Sequence, residues 1–271
     1  MKYCLSIGLH NLFFDIAIVD SNHNLIKSYK CDYDRSKDIS NNIFIAYKKY
    51  FIDYKIECLG VGVSNNIIFK DDILYSLKAF DLNQYNLKQS LHKLFKVDIY
   101  IGKETYLASL ATYNTLDKSS LLYIVLDNKI SNSFVVEGEI IELEEDIDFL
   151  KNRKLNSKCN KDALKAKFLV NNYDDEYIGG YFLSKDKNIS LIIDQWAKEL
   201  NKNVEKIVKE IKVDGIVFAG YLGEYFPYFK DSMNISKKID CFFISSHNRQ
   251  SLIGISHLMF KDKRSRLENK I

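Results

Sequence analysis

The turn Asp127-Asn128-Lys129 joins two strand-like runs, 121–126 and 130–136, and sits where a phosphate-binding protein of this layout would carry glycines. Phosphate oxygens are held by several backbone N–H groups at close approach, which side chains obstruct. Each charge-assisted hydrogen bond of that kind contributes roughly 1.5–3 kcal/mol. Asp127 adds a negative charge; at about 4 Å and an effective dielectric of about 20, its repulsion of a phosphate would be roughly 4 kcal/mol. Lys129 could compensate as a point charge. The segment therefore reads as a nucleotide-binding scaffold whose loop disfavours the nucleotide.

Other chemistry-bearing residues are scattered. Five cysteines (Cys4, Cys31, Cys58, Cys159, Cys241) are odd in number, widely spaced and free of any CxxC, as expected of reduced thiols in a cytoplasmic protein. Five histidines (His10, His23, His92, His247, His257) include no ligand pair at helical spacing, and no Cys–His or Ser–His pairing suggests covalent catalysis. The acidic run Glu142, Glu144, Glu145, Asp146 and Asp148 reads as a solvated face. Glu104 opens a helical segment, where a carboxylate also complements the positive end of the helix dipole. The 39 basic residues are dispersed and the net charge is only +3, so no nucleic-acid partner is expected. No run of 18 apolar residues exists, so no membrane span is expected. The alternating first strand begins at residue 3 without a cleavage site, and no signal peptide is expected.

The elements that must position these residues come in two similar sets. Residues 3–8, 12–19 and 24–31 read as three strands, with a turn-rich run at 20–24. A helix at about 38–54, a buried strand at 58–63, a helix near 86–96, a strand at 97–101 and a helix at 104–114 follow. Strands at 121–126, 130–136 and 139–143 open the second set. An irregular insert of roughly forty residues, with a short helix near 161–170, precedes the clearest helix, about 187–211. Its Ile189, Ile193, Trp196, Leu200, Val204, Ile207 and Ile211 recur at steps of three and four and form one apolar stripe. A strand at 215–219, a helix at 222–233, a strand at 240–244 and a helix at 248–263 complete it. The expected fold is α/β with two similar halves, 1–114 and 115–271, the last helix being free to pack back on the first half.

That order resembles the actin-like sugar kinases and, within them, the ROK family (repressors, uncharacterised reading frames and sugar kinases). Leu59-Gly-Val-Gly-Val-Ser64 is similar to the family's G-I-G-V-P-G. The run 82–91 falls where the family has N-L-x-x-W. Residues 101–111, Ile-Gly-Lys-Glu-Thr-Tyr-Leu-Ala-Ser-Leu-Ala, are similar to V-x-N-D-A-N-A-A-A-L-A. Leu122 to Ile141 resembles V-Y-I-T-L-G-T-G-I-G-G-G-I-V-x-N-G-K-L-L without a gap. Gly215 to Leu222 resembles I-V-L-G-G-G-L, and Ser251 to Ser256 resembles the closing G-L-I-G-A-A.

The resemblance implies a duplicated actin-like (ribonuclease H-like) two-domain fold with ATP in the cleft between the halves. It also implies where the chemistry would lie. The family's D-x-G-x-T hairpin, which contacts phosphate and metal, corresponds to Ser6-Ile7-Gly8-Leu9-His10, with only Gly8 kept. The G-T-G loop has become Asp127-Asn128-Lys129. The general-base Asp corresponds to Glu104 and the sugar-binding Asn before it to Lys103. One extra methylene moves the carboxylate by about 1.5 Å, and a misplacement of about 1 Å can cost on the order of a hundredfold in rate. Lys103 is placed to pair with Glu104 and depress its basicity.

Asn65 and Asp146 are the other sugar-site positions. Gly220 and Tyr221 stand where Gly-Gly abuts the adenine pocket; Tyr221 either fills that pocket or simply packs on the core. Where the family has a zinc-binding His and a cysteine motif, this chain has Phe149 and Cys159, so no zinc is expected. With the first strand at residue 3, the helix-turn-helix of the repressor branch is not expected.

The resulting expectation is a sugar-kinase-like pseudokinase with lost or greatly reduced phosphotransfer. It would be a binding or regulatory protein, homodimeric, with a sugar or sugar derivative as ligand and no cofactor. The alternative is an active Mg-ATP-dependent hexose kinase, of the glucose or N-acetyl-hexosamine type, with Glu104 as general base. A smaller remainder covers other actin-like phosphotransferases.

Overall fold

The computed structural model describes residues 1–82, 84–141, 143, 147–149, 152–173 and 178–268. The chain divides into two units, Met1–Thr112 with Asn248–Ile271, and Tyr113–His247. The first contains β1 (Tyr3–Leu9), β2 (Phe13–Asp20), β3 (Leu25–Asp32), α1 (Ile39–Phe51), β4 (Ile56–Val63), β5 (Ile68–Lys70), β6 (Ile73–Ser76), β7 (Tyr85–Asn86), α2 (Leu87–Phe95), β8 (Asp98–Lys103) and α3 (Glu104–Tyr113). The second contains β9 (Ser120–Val125), β10 (Ser131–Val136), β11 (Glu139–Ile141), α4 (Arg153–Cys159), α5 (Lys161–Val170), α6 (Ile178–Phe182), α7 (Lys187–Glu210), β12 (Gly215–Ala219), α8 (Phe226–Phe229) and β13 (Asp240–Ile244). The closing helix α9 (His247–Glu268) belongs, from Asn248 on, to the first unit.

The two main sheets have the same plan. In the first the order is β3-β2-β1-β4-β8, in the second β11-β10-β9-β12-β13. Each begins as an antiparallel meander and continues with two parallel strands reached through helices. Parallel neighbours need a crossover and antiparallel ones only a turn, so the order of strands and helices along the chain dictates this plan.

Strand alternation explains how both faces of the first sheet are covered. Leu59, Val61 and Val63 of β4 join the core beneath α1 and α2, whereas Cys58, Gly60 and Gly62 face α3 and α9. A Cβ on Gly60 would lie 2.0 Å from Ile255 Cγ2, and one on Gly254 would lie 1.8 Å from the Leu107 carbonyl oxygen. These glycines let α9 settle directly on β4 and α3. The second unit's core is built on the α7 stripe, with Ile189, Ile193, Trp196, Leu200, Val204 and Ile207 all buried. Trp196 is wholly enclosed and its Nε1–H donates to the Cys159 carbonyl at 2.9 Å.

Three features differ from the sequence reading. No continuous helix spans 222–233; the segment is broken into two 3₁₀ turns around the four-residue α8. Pro227 stands in the first turn of α8, where its missing N–H and its ring prevent the preceding turn from propagating through it. A small additional sheet, β5-β6-β7, precedes α2. Its hairpin turns through Asp71 and Asp72, both at positive φ, a turn that a search for glycine pairs overlooks. The insert is also more helical than expected, holding α4 and α6 besides α5.

Candidate functional site

In the first unit, β8 ends at Lys103 beside Val63 of β4, so the loop leaving β4 and the start of α3 lie side by side. Glu104 is only 8% exposed. Its Oε1 accepts the Asn65 backbone N–H at 3.3 Å, and Asn65 Nδ2 donates to Thr105 Oγ1 at 2.7 Å. Glu104 and Asn65 are therefore brought together. Lys103 is not part of that group. Its ammonium lies over the Tyr106 ring, 5.3 Å from the centroid, rather than pairing with Glu104. The expected charge pairing is thus replaced by a cation–π contact.

The first hairpin is occupied by its own side chains. Gly8 pairs with Asp15 across β1–β2 and with Gly62 across β1–β4. His10 Nε2 lies 3.1 Å from Asp15 Oδ2, and its ring stacks on Phe13 at 4.5 Å. Ser6, expected from the resemblance to stand where the family has an Asp, is fully buried against Cys4 and offers no carboxylate. Asn11 at the tip is tied to the loop after β6: its backbone carbonyl accepts from Ala79 N–H at 3.0 Å and its Oδ1 from Lys78 N–H at 3.2 Å.

In the second unit the turn after β9 is closed on itself. The Asp127 carboxylate accepts the Asn128 backbone N–H at 2.8 Å, and the Asp127 carbonyl accepts the Lys161 N–H at 3.0 Å. Asn156 braces the far side, receiving Ile130 N–H at 3.3 Å and donating to the Ile130 and Phe149 carbonyls at 2.6 and 3.1 Å. Asn128 and Lys129 are exposed. This loop suits a phosphate poorly, because the Asn128 amide already serves a carboxylate that would repel the incoming anion.

Gly220 follows β12 with φ of +80°, and a Cβ there would lie 3.0 Å from the Leu126 carbonyl oxygen. Leu126 itself bridges the strand ends, donating to Ala219 and accepting from Leu222. A glycine is required here by the backbone, whether or not a nucleotide ever binds. Tyr221 beside it is covered by the Lys161 ammonium, 3.9 Å from its ring centroid. The Tyr221 and Tyr225 hydroxyls close on Gly179 of α6, and the Tyr225 ring stacks on Phe182 at 4.8 Å. Lys161, Tyr221 and α6 thus form one packed cluster beside Gly220, the position expected from the resemblance to border an adenine pocket.

Asp146 lies outside the described residues, as do Glu142, Glu144 and Glu145. Phe149 is buried in the core of the second unit. Cys159 is buried there too, accepts from Asn203 Nδ2 at 3.2 Å, and burial pushes its thiol up to about 12. It is a buried core thiol, protonated at neutral pH. Sequence reasoning did not single out Asn11, Asn156 or Lys161. Each acts on backbone or ring atoms of a distant segment, and a lone Asn or Lys in a sequence gives no sign of that.

Two units with the same meander-and-crossover sheet define the class as a duplicated, actin-like α/β fold. No protein-family profile matches the chain, and no curated protein matches it in sequence. Solved structures do match it. A ROK hexokinase from Thermus thermophilus superposes with a TM-score of 0.79 at 12% identity, covering 96% of this chain and 99% of that one. A ROK family transcriptional regulator superposes at 0.77 and 10% identity, covering 96% and 78%. A ROK family glucokinase from Streptomyces griseus, solved with glucose and AMPPNP, superposes at 0.70 and 10% identity, covering 94% and 98%. The chain has the duplicated actin-like fold of the ROK sugar-kinase family.

Proposed function

We propose that this protein is a degenerate ROK sugar-kinase relative that has lost or greatly reduced ATP-dependent phosphotransfer. It acts by binding a sugar or sugar derivative, as a homodimer in the cytoplasm. The observation that carries this reading is the self-satisfied turn at Asp127-Asn128, whose amide is committed to a carboxylate. Ser6 in place of a metal-handling Asp and the Lys161–Tyr221 cluster support the same reading. The test is titration of Mg-ATP and of glucose or N-acetyl-hexosamines, followed by calorimetry and thermal shift. A sugar should bind and raise the Tm while Mg-ATP leaves it unchanged. Phosphorylation of any hexose that Glu104→Ala abolishes would sink the proposal.

A second reading rests on Glu104 itself. A carboxylate 8% exposed and held by the Asn65 N–H is oriented as a general base would be. In this reading the protein is an active hexose kinase with Mg-ATP as cofactor. The same assay decides between the two.

A further inference from the structure

In the first unit, the turn after β3 and the loop ahead of β7 line a cavity of about 560 Å³. Both walls are braced from behind. Asn42, buried in α1, accepts the Asp34 N–H at 2.7 Å and donates to the Asp34, Lys37 and Asp38 carbonyls at 2.9, 3.1 and 2.9 Å. One side-chain amide thereby fixes the whole 34–38 turn. The opposite wall is tied to Asn11 through Lys78 and Ala79, and Phe80 packs edge-on against Tyr33 at 5.0 Å. A cavity with walls held in this way loses little freedom when a ligand enters.

Most of the polar lining is already committed. Ser36 and Lys37 bond to Asp34, and Asp38 caps α1 at the Asn41 N–H while accepting the Tyr85 hydroxyl. Arg35 and Asp81 are different: among the described residues neither has a hydrogen bond or an ion pair. They line the same cavity, carry opposite charges and do not meet. Phe80, Leu82, Ile39 and Ala79 supply apolar surface beside them. An anion would gain at Arg35 and be repelled at Asp81, and a cation the reverse. A ligand carrying both charges satisfies both groups, and an apolar appendage uses the remaining wall.

We propose that this cavity binds a small zwitterion of the α-amino-acid class with an apolar side chain, its carboxylate on Arg35 and its ammonium on Asp81. The test uses the full chain and calorimetric titration with L-leucine, L-isoleucine, L-methionine and L-phenylalanine. The controls are N-acetyl-L-leucine, which lacks the ammonium, L-leucinamide, which lacks the carboxylate, and glucose. At least one free amino acid should bind, and each capped form should bind at least tenfold more weakly than L-leucine. Arg35→Gln and Asp81→Asn should each weaken amino-acid binding by roughly tenfold or more. Both side chains are exposed, so the variants should keep the parent's circular dichroism and Tm. Absence of binding by all four amino acids at millimolar concentration overturns the proposal. So does binding that is indifferent to capping or to both substitutions, or glucose binding that the two substitutions abolish instead.

Discussion

The Asp127 carboxylate accepts the backbone N–H of Asn128 at 2.8 Å, a contact between adjacent residues that closes the turn after β9 on itself. A short polar side chain bonding to a nearby amide is ordinary turn chemistry. Its consequence here is chemical as well as structural. The amide is one that a glycine loop would present to a phosphate, and its occupant is an anion.

Opening that turn should restore phosphate affinity. Replacing Asp127 and Asn128 by glycine frees the amide and removes the repulsive charge. One charge-assisted hydrogen bond contributes roughly 1.5–3 kcal/mol, so affinity for Mg-ATP should rise by about tenfold or more over the parent. Calorimetric titration of both proteins measures it. Equal affinity in the two would show that the turn is not what limits nucleotide binding.

The contact between Gly254 and Leu107 makes a sharper stability prediction. A Cβ at Gly254 would lie 1.8 Å from a backbone oxygen, which has no rotamer to escape into. Gly254→Ala should cost about 3 kcal/mol, a fall in Tm of roughly 6–12 °C. Gly8→Ala is the control: the new Cβ would meet His10 Nε2 at 3.4 Å and Asp15 Cβ at 3.6 Å, near ordinary contact, and should change the Tm little. Similar losses in both variants would mean that α9 does not dock as described.

Asn42→Ala should be costly for a different reason. It strips partners from the Asp34 N–H and from three carbonyls at once. Leaving buried polar groups unsatisfied costs about 1–3 kcal/mol each, but solvent can reach parts of this turn, so about 2–3 kcal/mol in total is expected. Denaturant unfolding measures the loss. Asn41→Ala, on the exposed side of the same helix, should cost less than half as much.

Legibility followed the range of the interaction. The α7 stripe and both strand meanders were readable because periodicity is a local property of residue types, and Trp196 and Ile193 are buried as their spacing requires. Glu104 and Asn65, which the resemblance singles out separately, are in contact in the structure. The four bonds of Asn42 and the stacking of Lys161 on Tyr221 were not readable, since they depend on where distant backbone and rings come to rest. The break at Pro227 could have been read: a proline five residues into an expected helix should have split it. Lys103 was expected to pair with Glu104 on charge alone, whereas its ammonium lies over the Tyr106 ring three residues on.

The last prediction concerns pH. His257 on α9 stacks on His23 of the β2–β3 turn at 3.7 Å, and His23 Nδ1 lies 2.8 Å from Ser256 Oγ. Asp20, in the same turn, is bonded to the Asn22 and Asn24 amides. Burial, with the His23 imidazole beside it, holds His257 down to about 4. An ordinary imidazole titrates at about 6.5, so above that pH the ring is neutral whether the chain is folded or not. As pH falls below about 6.5 the unfolded chain takes up a proton that the folded one refuses, and stability declines until the folded ring also titrates near 4. The Tm should therefore drop across this window, and His257→Asn should flatten the drop. A His257→Asn profile parallel to the parent's between pH 6.5 and 4 would show that this stacked pair does not couple α9 docking to protonation.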